Sequence, residues 1–232
     1  MMRVPVAARS TILIALSDTV LCNAMNADLE KSGYEVVLAP KLADVLPQKD
    51  TIHPDLIVID EDLEKGSGLN LCKELRLQGT TIPLLIVMNS DTVDDRVACL
   101  QAGADDYFVK PYRSETFLRL IRLYLQPSGT SQGEYLKFDN LVLDLGTRAA
   151  LRAGKAINLT MKEYDLLKYL MEHPREILTR EQILENVWGF DFLGESNVIE
   201  VYIRYLRLKI EGEGDKKLIH TIRGVGYALR DA

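Results

Sequence analysis

Asp60, Glu61 and Asp62 follow one another directly after the apolar run Leu56-Ile57-Val58-Ile59. The run is too short for a helix and β-branched enough for a strand buried on both faces. Pro54 and Asp55 punctuate its start. Asp60 therefore stands at the carboxyl end of a buried strand, where open α/β sheets place their ligand crevices. A carboxylate there can act as a nucleophile or hold a cation. A second kind of chemistry is written near the other end of the chain. Residues 216–230 carry four basic side chains and no acidic one. A local basic surface can bind a polyanion even when the whole chain is acidic, because the field near the contact decides affinity.

The elements that must position these groups fall into two grammars. Apolar strands read at residues 11–16, 35–39, 56–60, 84–88 and 107–110. Helices read from the cap Asp18 to about residue 33, then at 41–46, 67–77, 91–102 and 113–125. Five alternations imply a parallel sheet covered by helices on both faces. Residues 126–133 (QPSGTSQG) are polar and rich in Gly and Ser, the one clear linker. Beyond it, residues 135–159 read as short antiparallel strands. Thr160 with Glu163, and Thr179 with Gln182, are capping boxes that open two helices. After a loop at 189–195, Ser196 caps a third helix over 197–211, with Ile199, Ile203, Leu206 and Ile210 on one face. Strands at 218–223 and 227–230 flank Gly224-Val225-Gly226 as a hairpin. Three helices followed by a hairpin is the order of a winged helix.

Composition sets bounds around this reading. The chain has 232 residues, 28 Lys and Arg against 34 Asp and Glu, and a net charge of −6. Apolar residues make up 47%, enough for two domains that each bury a core. No apolar run reaches the roughly 18 residues of a membrane span, and residues 1–10 read as a disordered leader without a signal-peptide pattern. Cys22, Cys72 and Cys99 are scattered, without metal spacing, and are expected to be reduced core residues. A cytoplasmic protein is expected.

Both halves resemble the two-domain response regulators of the OmpR/PhoB winged-helix family. In the first half the resemblance rests on Pro54-Asp55, Asp60, Gly68, Gly103-Ala104-Asp105-Asp106-Tyr107 and Lys110-Pro111-Tyr112. In the second it rests on Leu159-Thr160, Glu163-Tyr164, Leu166-Leu167, Ile199-Glu200-Val201, Leu206-Arg207 and Thr221-Ile222-Arg223-Gly224-Val225-Gly226-Tyr227. It implies an α/β fold: a (βα)5 flavodoxin- or CheY-like receiver at 10–126, a linker at 127–133, and a winged helix-turn-helix DNA-binding domain at 134–232. A fainter likeness is to the non-bleaching regulator branch, a group of stress regulators with degenerate receivers.

In such a receiver Asp60 is the phosphoryl acceptor, and catalysis is positioning and charge neutralisation by Mg2+ and a lysine. Lys110 is that lysine. The acidic pair that holds the metal falls at Leu16 and Ser17, and Asp18 is one step too far along. The hydroxyl at the end of the fourth strand is Met88, with Ser90 on the wrong step. The usual proline four residues after the acceptor is Glu64, an added negative charge beside an incoming anion. Mg2+ demands near-octahedral oxygen ligands, so weak or absent binding is expected, with no other metal or cofactor. Lys110 is expected to pair with Asp60. The receiver should therefore act without ordinary Mg2+-dependent phosphorylation. The alternative is a conventional regulator in which a sensor histidine kinase feeds Asp60.

The resemblance also implies a homodimer through the fourth helix, fifth strand and fifth helix. Arg96 and Asp106 stand at two of its salt-bridge positions. The usual partners fall at Thr116 and Leu120, with Glu115 and Arg119 one residue earlier, and Tyr107, Phe117 and Leu120 are expected to supply apolar area. The third helix of the effector half should enter the major groove of double-stranded DNA, on tandem direct repeats. Asn197, Val198, Val201, Tyr202 and Tyr205 are expected nearest the base edges, and Arg204 and Arg207 at phosphates. Arg204 has a competing partner in Glu200. Tyr205 stands where relatives often carry arginine, which shifts readout toward thymine methyls and shape. Thr221 and Arg223 on the wing should touch the backbone, with Arg223 reaching a minor groove. Trp188 and the 189–195 loop lie where the family contacts RNA polymerase, an expected partner. Two rivals are a haloacid-dehalogenase-type phosphatase, whose nucleophile motif Asp60-Glu61-Asp62 also resembles, and an adapter that no longer binds DNA. The first leaves the winged helix unexplained; the second leaves Arg204, Arg207, Thr221 and Arg223 without a purpose. A transcription regulator rather than an enzyme is the expected function.

Overall fold

The apolar runs fold as wholly buried strands, with Ile12 to Ala15, Leu56 to Ile59 and Leu84 to Val87 all 0–1% exposed. In this computed structural model, residues 9–125, 134–189, 198–212 and 216–231 are described. The chain divides into two compact units, Met1–Gln126 and Pro127–Ala232. The expected leader up to residue 8, the linker, Asn197, and the Ser196 cap with nearly all of its preceding loop lie outside the described residues.

The first unit alternates β1 (Thr11–Ala15), α1 (Thr19–Lys31), β2 (Glu35–Leu38), α2 (Leu42–Ile52), β3 (Leu56–Asp60), α3 (Gly68–Leu77), β4 (Leu84–Met88), α4 (Val93–Gln101), β5 (Asp106–Val109) and α5 (Ser114–Leu125). The five strands pair in parallel in the order β2-β1-β3-β4-β5. The winding reverses between β1 and β3, so a crevice opens at their carboxyl ends, with Ala15 registered against Ile59. Helix α2 runs through Pro47 to Ile52, six residues beyond the expected end at Leu46. The proline lacks a ladder N–H, but Val45 is wholly buried and Leu46 and Ile52 pack on the core, and that packing outweighs the local penalty. Cys72 and Cys99 lie in the same core, where burial pushes the Cys72 thiol up to about 12.

The second unit opens with an antiparallel meander of β6 (Tyr135–Phe138), β7 (Leu141–Asp144), β8 (Ala150–Arg152) and β9 (Lys155–Ile157). Then come α6 (Met161–Glu172), β10 (Leu178–Thr179), α7 (Arg180–Trp188), α8 (Val198–Ile210), β11 (Ile219–Ile222) and β12 (Gly226–Leu229). Both capping boxes form reciprocally, Thr160 with Glu163 and Thr179 with Gln182. The β11–β12 hairpin is joined by the short β10 in the order β10-β12-β11. Gly226 permits that pairing, because a Cβ there would stand 2.0 Å from the Leu178 carbonyl oxygen. The unit is a winged helix-turn-helix. Among the described residues no helix is long and apolar enough to cross a membrane.

Candidate functional site

Asp60 closes β3 in the crevice and is 3% exposed. The Lys110 ammonium donates to both of its carboxylate oxygens, at 3.1 Å each, and to Asn89 Oδ1 at 2.9 Å. The Asp62 backbone N–H donates to Asp60 Oδ1 at 3.1 Å. Asn89 ties the other two acids down: its backbone N–H donates to Glu61 Oε1 and its Nδ2 to Asp62 Oδ2, both at 2.5 Å. Gly68 starts α3 tightly against this corner, where a Cβ would fall 2.0 Å from the Asp60 carbonyl oxygen. The three acids thus have their partners within the protein, in the loops that follow β3, β4 and β5.

Leu16 extends the buried run of β1 and is 1% exposed. Ser17 is exposed, its hydroxyl 3.5 Å from the Pro40 carbonyl. Asp18 is the N-cap of α1, accepting from Val20 N and Leu21 N at 2.9 and 3.1 Å. Met88 is buried, and the Ser90 hydroxyl donates to Asp95 Oδ2 at the start of α4. Glu64 has a partner the sequence did not announce. Its carboxylate accepts from Leu42 N at 3.1 Å, at the head of α2, where the N-cap Lys41 offers no side-chain acceptor. Its charge thus stands at a helix N-terminus, where a carboxylate is stabilising. As a Mg2+ site the donor set fits poorly: Leu16 brings no oxygen, and both Asp60 oxygens accept from Lys110.

In the second unit Ile199, Ile203, Leu206 and Ile210 face the core, as their spacing requires. Val198 and Tyr202 are buried as well, at 0% and 2% exposure, so both leave the set of expected base readers. Tyr202 packs edge-on between Trp188 and Tyr205, with centroids at 5.3 and 6.1 Å. The outward face carries Val201, Arg204, Tyr205 and Leu208. The competing Arg204–Glu200 pair does not form. Glu200 instead takes a two-toothed bond from Arg180, the second at 3.0 Å, and the Tyr227 hydroxyl at 3.4 Å. Burial works against the Glu200 carboxylate, but the Arg180 bonds outweigh it and hold its pKa below the ordinary value. Arg207 donates to the Ile219 carbonyl at 3.2 and 2.9 Å and to Thr221 Oγ1 at 2.9 Å, which fastens the wing to α8. Thr221 and Arg223 are exposed. Arg180, Arg204, Arg207, Thr221 and Arg223 line a groove of about 540 Å3 between α8 and the hairpin. Four guanidinium groups against one carboxylate make it positive, suited to phosphates.

Residues 12–122 match the family model described as the response regulator receiver domain, and residues 154–229 the one described as transcriptional regulatory protein, C terminal. Response regulator MprA of Mycobacterium bovis is 40% identical over 223 residues, spanning 95% of this chain and 97% of its own. MprA of Mycolicibacterium vanbaalenii is 41% identical over 224 residues, with the same coverage. The chain belongs to the OmpR/PhoB response-regulator family. It is a DNA-binding transcriptional regulator of two-component type, in a family of transcription factors rather than enzymes. Among solved structures, a mutant of RitR is similar over 96% of this regulator and all of its own chain, with TM-score 0.64 and 29% identity.

The regulator's expected dimer face is divided in its bonding. Arg96 is held by Asp91 through bonds of 2.6 and 2.7 Å. Asp106 accepts from the Tyr124 hydroxyl at 3.1 Å and from Tyr107 N at 2.8 Å. Phe117 is wholly buried, edge-on to Phe108 and Tyr112, so it belongs to the core and not to an interface. Glu115 and Arg119 are exposed on α5, Tyr107 and Leu120 are half-buried, and Leu123 is 60% exposed. Burial raises the Tyr107 phenol above its usual pKa. One functional-looking acid proves structural. Asp105, 0% exposed, accepts from Arg76 Nη2 at 2.5 Å and Leu84 N at 2.9 Å. Arg76 donates onward to the carbonyls of Gly103, Thr80 and Ile82. Gly103 has φ +92°, and a Cβ there would meet the Arg76 stem at 2.5 Å. The Gly103-Ala104-Asp105 run signals this node, but its partner Arg76 lies 29 residues away from Asp105.

Proposed function

We propose that the regulator controls transcription without Mg2+-dependent phosphorylation of Asp60, its receiver serving as a fixed dimerisation module. Phosphoryl transfer to a carboxylate depends on neutralising charge that develops on the phosphoryl oxygens. Lys110 donates hydrogen bonds to Asp60 and Asn89, the Leu16 side chain supplies no metal-ligating oxygen, and Met88 supplies no hydroxyl. Each lost contact slows transfer about tenfold for every 1.4 kcal/mol of stabilisation it gave. The observation that carries the reading is the apolar side chain at both Leu16 and Met88, buried where the resemblance places a metal-ligating carboxylate and a hydroxyl, since the Lys110–Asp60 contact belongs to either reading.

On this reading a homodimer forms through α4, β5 and α5, with Arg96, Asp106, Glu115, Arg119, Tyr107 and Leu120 at its face. It places two winged helices on tandem direct repeats of double-stranded DNA, in the cytoplasm, and the region after Trp188 meets RNA polymerase. Asn197, Val201, Arg204, Tyr205, Thr221 and Arg223 contact the duplex. No kinase is required. A second reading keeps Asp60 as a phosphoryl acceptor fed by a sensor histidine kinase, favoured by the retention of Asp60 and Lys110 side by side. A titration with Mg2+ and beryllofluoride, followed by NMR, separates the two. The proposal predicts no saturable change near Asp60; saturable shifts centred there at millimolar metal would sink it.

A further inference from the structure

The polar side chains of α8 are largely used up inside the second unit. Glu200 is bound to Arg180 and Tyr227, Arg207 to Ile219 and Thr221, and the Lys209 ammonium to Glu163 Oε2 at 2.6 Å. Among the described residues of α8, Arg204 is the one charged group with no such bond and with an exposed side chain. Beside it run Val201, Tyr205 and Leu208, spaced four and three residues apart, so they form one stripe opposite the buried face. Leu208 is 69% exposed. An apolar side chain held out of the core on the face turned to a polyanion gains nothing from phosphates. The major groove offers one apolar group to receive it, the thymine 5-methyl. Tyr205 is held in place for the same use, its ring edge-on to Tyr202, which is itself packed on Trp188.

We propose that Val201, Tyr205 and Leu208 determine specificity by packing on thymine methyls, with Arg204 as the polar reader beside them. The half-site under α8 is then a run of A·T pairs next to at most one guanine. Arg223 lines the adjoining groove, exposed for a phosphate. The proposal rests on the reading of α8 as the helix that enters the major groove, and it adds which chemical feature of the bases that helix recognises. Guanine-rich readout would need arginine or lysine pointing at base edges, and the described part of α8 keeps just Arg204 for that purpose.

Selection of the full-length protein on a pool of random duplexes tests the proposal, followed by anisotropy on the selected site. Each thymine is replaced in turn by deoxyuridine, which removes the methyl and leaves every hydrogen-bonding group in place. The expected result is an A·T run in each half-site, with about fourfold weaker binding per contacted methyl removed, the worth of one buried methyl-sized group. Leu208→Ala, at an exposed position, should abolish the deoxyuridine penalty at one thymine, whereas Tyr205→Phe, which keeps the ring, should preserve it. A selected site rich in guanine, or one indifferent to deoxyuridine, overturns the proposal while leaving DNA binding intact. Absence of any salt-dependent binding to the pool would overturn the major-groove reading itself, and the proposal with it.

Discussion

In the acceptor pocket Lys110 turns inward and spends its protons on Asp60 and Asn89, while in the second unit Arg204 and Arg223 stand exposed beside the wing. The two regions are built from the same materials, basic side chains among carboxylates, and they differ in where the charge is left. A cation paired inside the protein holds its neighbours in place. One left at the surface can still displace counterions from DNA. The receiver shows a further contrast within itself. It keeps the charges that hold the fold, Arg76 with Asp105, and lacks side-chain oxygen at Leu16 and Met88, where the resemblance to the family implies phosphoryl chemistry.

The largest expected effect is on that scaffold. Asp105→Ala leaves the Arg76 guanidinium without its buried partner, and breaking such a pair costs about 3–5 kcal/mol. Urea unfolding should shift the receiver's transition and leave that of the winged helix where it was. A smaller effect tests whether Lys110 is a structural partner. Lys110→Ala strands a nearly buried Asp60 and should cost about 1.5–3 kcal/mol, the range for hydrogen bonds to charged groups. Adding Asp60→Ala should restore most of that loss. Simple additivity of the two changes would mean the pair is not coupled and would weaken the contrast between the regions.

Much of this arrangement was legible in the sequence, for definite reasons. Strands β3 and β4 are apolar runs with no competing period, and Thr160 and Thr179 announce their helices through capping boxes. The buried stripe of α8 follows from helical spacing. Positions carried over from the family resemblance failed where they named surface residues: Val198, Tyr202 and Phe117 border the apolar faces of their helices and are packed inside. A single step along a helix is about 100° of rotation, so edge positions are decided by what packs against them. The extension of α2 past Pro47 was hidden for a related reason, since Val45 and Ile52 are held by the sheet. Contacts between distant residues left no local trace. Glu64 reaches Leu42 across 22 residues, Glu61 reaches Asn89 across 28, and Arg180 reaches Glu200 across 20.

The smallest effect is on the other side of the comparison. Arg223→Ala should weaken DNA binding by about 1 kcal/mol, roughly fivefold, and lower the salt slope by about one unit. Its exposed position means that stability should not change. Unchanged affinity and slope would remove the wing from the interface.

The most direct measurement compares the DNA affinity of the wild type and Asp60→Ala, each with and without acetyl phosphate and Mg2+. A receiver whose acceptor is held by Lys110 predicts four affinities within about twofold of one another, a difference of roughly 0.4 kcal/mol. A gain of about tenfold on adding the phosphodonor, seen in the wild type and absent in Asp60→Ala, would contradict it.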